Sequence, residues 1–260
     1  HIVLIPVVGA ALFFRERKKI FDSAGTLFPA GLLPMAAGLA LFYWGRGRSL
    51  GPDDAASIQA FAAFVFWIGG FLFAFGPATL RRAFFPLAFM LFAVPLPSAV
   101  MEKVISALVG ASTEVTNILF KAIGVPFVRE GSIFKLPGFS LEVAKECSGI
   151  RSSLSLFIVG ILAGHLFLEK FWKKAALGLL VFPIAVLKNG LRIVSLYLLG
   201  YFIDMRFVTG NFHHKFAGSV FFGVGLLLLG LVLWAFARSE KVRTPGGGQR
   251  RMNILRRKSP

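Results

Sequence analysis

The sequence predicts an all-α polytopic membrane protein of about seven transmembrane helices, with an amphipathic helix and a short extracytoplasmic hairpin before its single cysteine. Three observations carry this expectation. Of the 260 residues 56% are hydrophobic, 30 are Phe and only 16% are charged, a balance outside that of soluble domains. The apolar residues gather into runs close to the ~20 residues that a helix needs to cross the hydrocarbon core. The 29 Lys and Arg, which give a net charge of +17, fall in short clusters between those runs and not on one face. They therefore read as topology signals, and nucleic acid is not an expected partner; membrane lipids are.

The elements follow in order. His1 to Phe14 is short for a span, opens inside an apolar stretch and stops at Arg15-Glu16-Arg17-Lys18-Lys19, so it reads as an N-terminally truncated helix. Leu27 to Trp44 carries Pro29 and Pro34 early and closes on Tyr43-Trp44, a pair suited to the membrane interface. A polar loop, Arg46 to Ala56, leads to a third span from Ile58 to Leu80 that stops at Arg81-Arg82. A fourth, Ala83 to Val100, leaves through Pro95-Leu96-Pro97, which breaks a helix.

From Met101 to Gly124 the apolar Val104, Leu108, Val115, Ile118 and Leu119 are interleaved with Glu102, Lys103, Ser112, Thr113, Glu114 and Asn117. This is too polar for a span; an amphipathic helix lying on the membrane surface or packed across the spans fits it. Gly124 to Val143 alternates apolar and polar residues around Gly131 and Pro137-Gly138, the pattern of a β-hairpin or an extended loop. The fifth span is Gly149 to Leu168. The sixth, Ala175 to Phe202, holds Pro183, Lys188, Asn189 and Arg192 within its apolar sequence, and the seventh runs from His214 to Ala237. Residues 1–237 thus form one transmembrane domain, and the basic residues 238–260 a disordered cytoplasmic tail.

Charge sets the threading. Arg15–Lys19, Arg81-Arg82, Lys170–Lys174 and the tail hold 17 of the 29 basic residues, and the positive-inside rule makes that side cytoplasmic. Cys147 and His214 then begin helices on the outer face. Arg192 lies roughly 13 to 15 Å below the outer end of its helix at 1.5 Å per residue.

Cys147 is the one cysteine, so an internal disulfide is excluded, and an inert packed thiol, an intermolecular bridge or a reactive nucleophile remain. Its place before a helix, with Arg151 one turn on, favours the thiolate. An ionised Arg192 inside an apolar helix belongs against a polar cavity or a partner, unless it snorkels to the headgroups. Asn189, one turn earlier, shares its face and can hydrogen-bond the same partner. Lys188 reads as a snorkelling side chain pointing elsewhere. His214 sits at a helix start, one turn before Gly218, a residue that allows close helix approach. It is either a proton acceptor for Cys147 or an interfacial His without chemistry. His165 is assigned no role beside the packing stretch Gly160 to Gly164. One Cys and scattered His make no metal-ligand set, and no cofactor is expected. Cys, His and Arg from three segments suit thiol acyl transfer. A transporter using Arg192 as an anion site is the alternative from another class.

Glu146-Cys147-Ser148-Gly149-Ile150-Arg151, Asn189-Gly190-Leu191-Arg192 and His214 followed by Gly218 resemble, in order and spacing, the three signature blocks of the exosortase/archaeosortase family. The resemblance covers about residues 95–222. It implies a membrane-embedded cysteine transpeptidase of the bacterial inner membrane, with its active site on the periplasmic side. Such an enzyme would cleave C-terminal sorting signals of secreted proteins (a PEP-CTERM-like motif, a transmembrane helix and a basic cluster) and pass the product through a Cys thioester to an unknown acyl acceptor at the cell surface. It implies Cys147 as nucleophile, Arg192 as the essential Arg and His214 as the position that is His in the bacterial branch. Arg151, Asn189, Glu146, Ser148 and Gly218 become substrate-binding or supporting residues. Proteolysis without transfer is the alternative within this class, and the neighbouring His213 is the other candidate imidazole.

Overall fold

The computed structural model describes residues 4–22, 25, 28–143, 149–203 and 211–241; of residues 139, 211–217 and 241 the backbone alone is described. The helices are α1 (Leu4–Phe21), α2 (Leu32–Arg46), α3 (Pro52–Arg82), α4 (Phe84–Met90), α5 (Ser98–Ala122), α6 (Ile150–Phe167), α7 (Phe171–Phe202) and α8 (Asn211–Lys241), with strands β1 (Val128–Glu130), β2 (Ile133–Leu136) and β3 (Phe139–Glu142). The chain divides into two compact units, 1–103 and 104–260.

Among the described residues four helices are long and apolar enough to cross a membrane: Pro52–Arg82, Ile150–Phe167, Phe171–Phe202 and Gly218–Glu240. A fifth span arises if Phe84–Ala93 and Ser98–Ala122 form one bent crossing. The protein is thus a helical, multi-pass membrane protein, and the expected seven spans are not reached among the described residues. The reasons are local. α1 does not stop at Phe14 but continues through Arg15–Lys19, so its last turns carry charge. α2 has 15 residues, about 22 Å of helix against a core of about 30 Å. The apolar run after Ala83 leaves α-helical geometry at Leu91, four residues before the expected break at Pro95.

In the first unit α2 and α3 pack backbone to backbone. Gly31, Gly38 and Gly45 recur every seven residues, and a side chain at Gly38 would stand 2.7 Å from Phe66 N. Gly69 answers from α3, where a side chain would stand 2.6 Å from Met35 N. Such small-residue seams let helices associate in lipid, where the hydrophobic effect gives no drive. α3 starts with Pro52 at its first position and Asp53 and Asp54 in its first turn, which suits the helix dipole. It is interrupted at Gly76 (φ 77°, ψ 172°), because the residue before Pro77 is pushed out of helical geometry.

The second unit is built on α7, half of whose most apolar window is buried. α5 turns a polar face inward. Ser112, Thr113 and Thr116 are buried, with the Thr113 hydroxyl donating to Val109 O and the Thr116 hydroxyl to Ser112 O. Backbone acceptors on its own helix thus let it bury polar residues, and of the two readings of Met101 to Gly124 the packed one holds. Gly190 of α7 lies against Val115 of α5, where a Cβ would come within 2.6 Å of Val115 Cγ1.

The strands form an antiparallel meander, β1-β2-β3, with Glu130 paired to Ile133 and Leu136 to Phe139. It has one strand more than the expected hairpin, since both Gly131 (φ 62°) and Pro137-Gly138 (φ 92° at Gly138) make two-residue turns. Phe134, Leu136 and Val143 join Phe120 of α5 and Ile193, Val194 and Tyr197 of α7 in one apolar cluster. Arg129 fixes β1 to α5 through a 2.7 Å ion pair with Glu114.

α6, α7 and α8 share a second cluster of Leu156, Leu177, Val181, Ile184 and Leu229. Gly160 and Gly164 face Val181 and Leu177, the packing expected of that stretch. One member of the basic cluster at the start of α7 has a structural place. Lys173 is 4% exposed, and its ammonium donates to Phe236 O and Ser239 Oγ, both at 2.8 Å, with the Glu240 carboxylate at 3.5 Å. Glu240 in turn accepts the backbone N–H groups of Glu169 (2.9 Å) and Lys170 (3.2 Å) at the N-terminus of α7. α8 therefore continues to Lys241, beyond the expected end at Ala237, and residues 242–260 of the expected tail lie outside the described residues.

Candidate functional site

The site is built on the start of α6. Gly149 precedes the helix in the left-handed region (φ 64°, ψ 21°), a conformation that costs an L-residue with a Cβ roughly 1–2 kcal/mol. Its carbonyl accepts the Ser152 hydroxyl at 2.9 Å and the Ser153 N–H at 2.8 Å. A side chain at Gly149 would stand 3.2 Å from Asn189 Oδ1, so α7 closes the space on that side. Gly149→Ala is accordingly expected to lose about 1–2 kcal/mol of stability. A thermal melt of the protein in detergent reads the loss, which should be smaller for Gly149→Asn because Asn tolerates left-handed backbone.

Beside this turn lies a cavity of about 840 Å³. Its wall is made by Gly149, Ile150, Arg151, Ser152 and Ser155 at the start of α6, Arg192 of α7, Gly218, Ser219 and Phe222 of α8, and Ile105 of α5. Arg192 is half-buried and Arg151 exposed. Two guanidinium groups and three hydroxyls between apolar walls suit an anion, or an oxygen on which negative charge develops.

Of the residues singled out in the sequence, Arg151, Arg192 and Gly218 meet in this cavity. Glu146, Cys147 and Ser148 lie outside the described residues, immediately before Gly149 in sequence. His213 and His214 belong to the first turn of α8, His214 one turn before Gly218, and their side chains lie outside the description.

Two expectations are corrected. Gly218 does not serve close helix approach: among the described residues nothing lies within 4 Å of a side chain built there, and the missing side chain leaves room in the cavity. Asn189 is held inside the protein. It is 1% exposed, its Nδ2 donates to Ser112 Oγ at 3.1 Å, and its Oδ1 faces Gly149 without a hydrogen bond among the described residues. It therefore joins α5, α7 and the mouth of α6.

Lys188 does not snorkel. It is 2% exposed, its stem passes Gly225 of α8, and its ammonium donates to Ser152 Oγ. Its i,i+4 spacing to Arg192 places both on one face, and that spacing was the available signal. Ser152, Ser155 and Ser219 carried no such signal, since serines near helix starts are ordinarily caps.

Among the described residues no group of three or more His, Cys, Asp or Glu could hold a metal ion. A family model described as transmembrane exosortase (Exosortase_EpsH) matches residues 1–231. Neither a curated protein nor a solved structure gives a significant match. A match over 231 of 260 residues, which takes in every element around the cavity, shows that the chain belongs to the transmembrane exosortase family, membrane-embedded enzymes of protein sorting.

Proposed function

We propose that the chain is a cysteine transpeptidase that cleaves C-terminal sorting signals, of the PEP-CTERM-like kind, at the outer face of a bacterial inner membrane. The observation that carries this reading is the shared cavity. Arg192 faces the start of α6, which follows Cys147 by two residues in sequence, and faces Gly218, which follows His214 by one turn. In this reading the Cys147 thiolate attacks the scissile carbonyl, and the oxyanion forms against the Arg192 guanidinium. His214 accepts the thiol proton and returns it to the leaving amine as the C–N bond breaks, leaving a thioester on Cys147. An acceptor amine or hydroxyl, or water, then attacks the thioester and releases the thiol. Arg151 adds positive charge at the rim, and the helical tail of the sorting signal packs along the exposed apolar faces of the spans.

Co-expression with tripartite substrates, followed by mass spectrometry of the new C-terminus, tests the reaction. A product carrying an added acceptor supports transfer, and one ending in a free carboxylate would leave hydrolysis alone. An intact substrate in the presence of folded enzyme counts against both.

The same reading fixes the side of the membrane. The β-meander directly precedes the Cys147 block and should be extracytoplasmic, while Arg238 should be cytoplasmic. In a Cys147→Ser background, an impermeant maleimide added to intact spheroplasts should label Lys135→Cys, an exposed β2 position, and spare Arg238→Cys. The reverse pattern removes the proposed outer active site.

A further inference from the structure

A charge buried in a membrane protein is costly unless something compensates it, and Lys188 is a clear instance. Its ammonium lies among α6, α7 and α8, and its polar partner among the described residues is the Ser152 hydroxyl oxygen. Arg192, one turn on, repels it. Gly225 leaves the room that its stem occupies: a Cβ there would stand 3.2 Å from Lys188 Cδ. The hydrogen bonds continue in one direction, since the Ser152 hydroxyl that accepts from Lys188 donates its own proton to Gly149 O. An ammonium can only donate, so it fixes the Ser152 oxygen as acceptor and turns the hydroxyl proton toward the Gly149 carbonyl.

We propose that Lys188 is a positioning residue of the cavity, which acts through Ser152 to hold the left-handed turn at Gly149. Its bearing on catalysis rests on the acyl-transfer reading above; the hydrogen-bond chain does not. A neutral residue of the same length would fill the space beside Gly225 with no desolvation cost. It would not orient the Ser152 hydroxyl.

The test uses the full chain in proteoliposomes with a tripartite sorting-signal substrate. Lys188→Ala should lower kcat by about 10- to 100-fold with KM within about twofold, the loss that a displaced catalytic turn gives. Ethylammonium should restore part of that kcat, whereas ethanol, similar in size and neutral, should not. Ser152→Ala should lower kcat comparably without ammonium rescue, and the double variant should be no worse than the poorer single one, because both interrupt one chain. Amide exchange at Ser153, whose N–H bonds Gly149 O, should accelerate in both variants.

Wild-type kcat in either variant, or equal rescue by ethanol, overturns the proposal. If Lys188→Ala does not insert, Ser152→Ala decides alone. The two readings fail separately. Cleavage by Cys147→Ala sinks the acyl-transfer reading and leaves Ser153 exchange as the measure of the turn. An inactive Cys147→Ala beside fully active Lys188 and Ser152 variants sinks only the role of Lys188.

Discussion

Replacing Cys147 with alanine should abolish release of the sorting signal and leave the uncleaved substrate bound to the enzyme. No other thiol exists in the sequence to take over the attack. No processed form should be visible, because direct attack by water, helped only by the remaining oxyanion stabilisation, is far slower than the thiol route. Co-purification of tagged substrate with Cys147→Ala, combined with immunoblotting for the processed form, measures binding and cleavage together. Processed substrate in that variant would end the cysteine mechanism. His214→Ala should retain binding and lose about 10²–10⁴-fold in rate, the range for a removed general acid–base group, with a much smaller loss for His213→Ala. If the two histidines exchange these effects, His213 is the proton carrier.

The parts of the fold legible in the sequence were those with one dominant local cause. The long spans α3, α6, α7 and α8 follow from apolar length, and strand pairing, though not the third strand, follows from alternation around Gly131 and Pro137-Gly138. Helix boundaries were less legible, because a cluster such as Arg15–Lys19 marks a membrane interface without ending the helix that carries it. The polar face of α5 was ambiguous for a related reason. Ser112, Thr113 and Thr116 look equally suited to water and to a protein interior, and only their bonds to carbonyls of the same helix and the close fit of Gly190 decide between these.

At the site, residue type and spacing single out Arg192, Arg151 and Gly218, and one cavity is lined by all three. The reason given for Gly218 was wrong, because a missing side chain serves a contact and an empty space equally well in a sequence. Lys188 was dismissed because long cationic side chains ordinarily snorkel. The small residue that lets it stay inside, Gly225, is 37 positions away on another helix.

Arg192→Lys should cost nearly as much activity as Arg192→Ala, and both should fall by at least about 10²-fold, the loss seen when one oxyanion donor is removed. The reasoning separates charge from shape. Lysine preserves the positive charge, but as a compact, strongly hydrated point charge it cannot offer the planar pair of N–H donors that a carbonyl oxygen or carboxylate meets. The neighbourhood makes the exchange harsher still. Lys188 lies one turn away and repels a cation at position 192. A lysine concentrates its charge on one atom where the guanidinium spreads it over a plane, so the repulsion falls harder on lysine. Folding controls are needed because Arg192 is half-buried, and melting in detergent together with labelling of Lys135→Cys supplies them. The decisive measurement is the cleavage rate per folded enzyme for the three forms under one set of conditions. Near-wild-type cleavage by Arg192→Ala would show that the guanidinium in the cavity wall touches nothing that changes charge during the reaction. Full activity of Arg192→Lys with an inactive Arg192→Ala would reduce its role to charge alone.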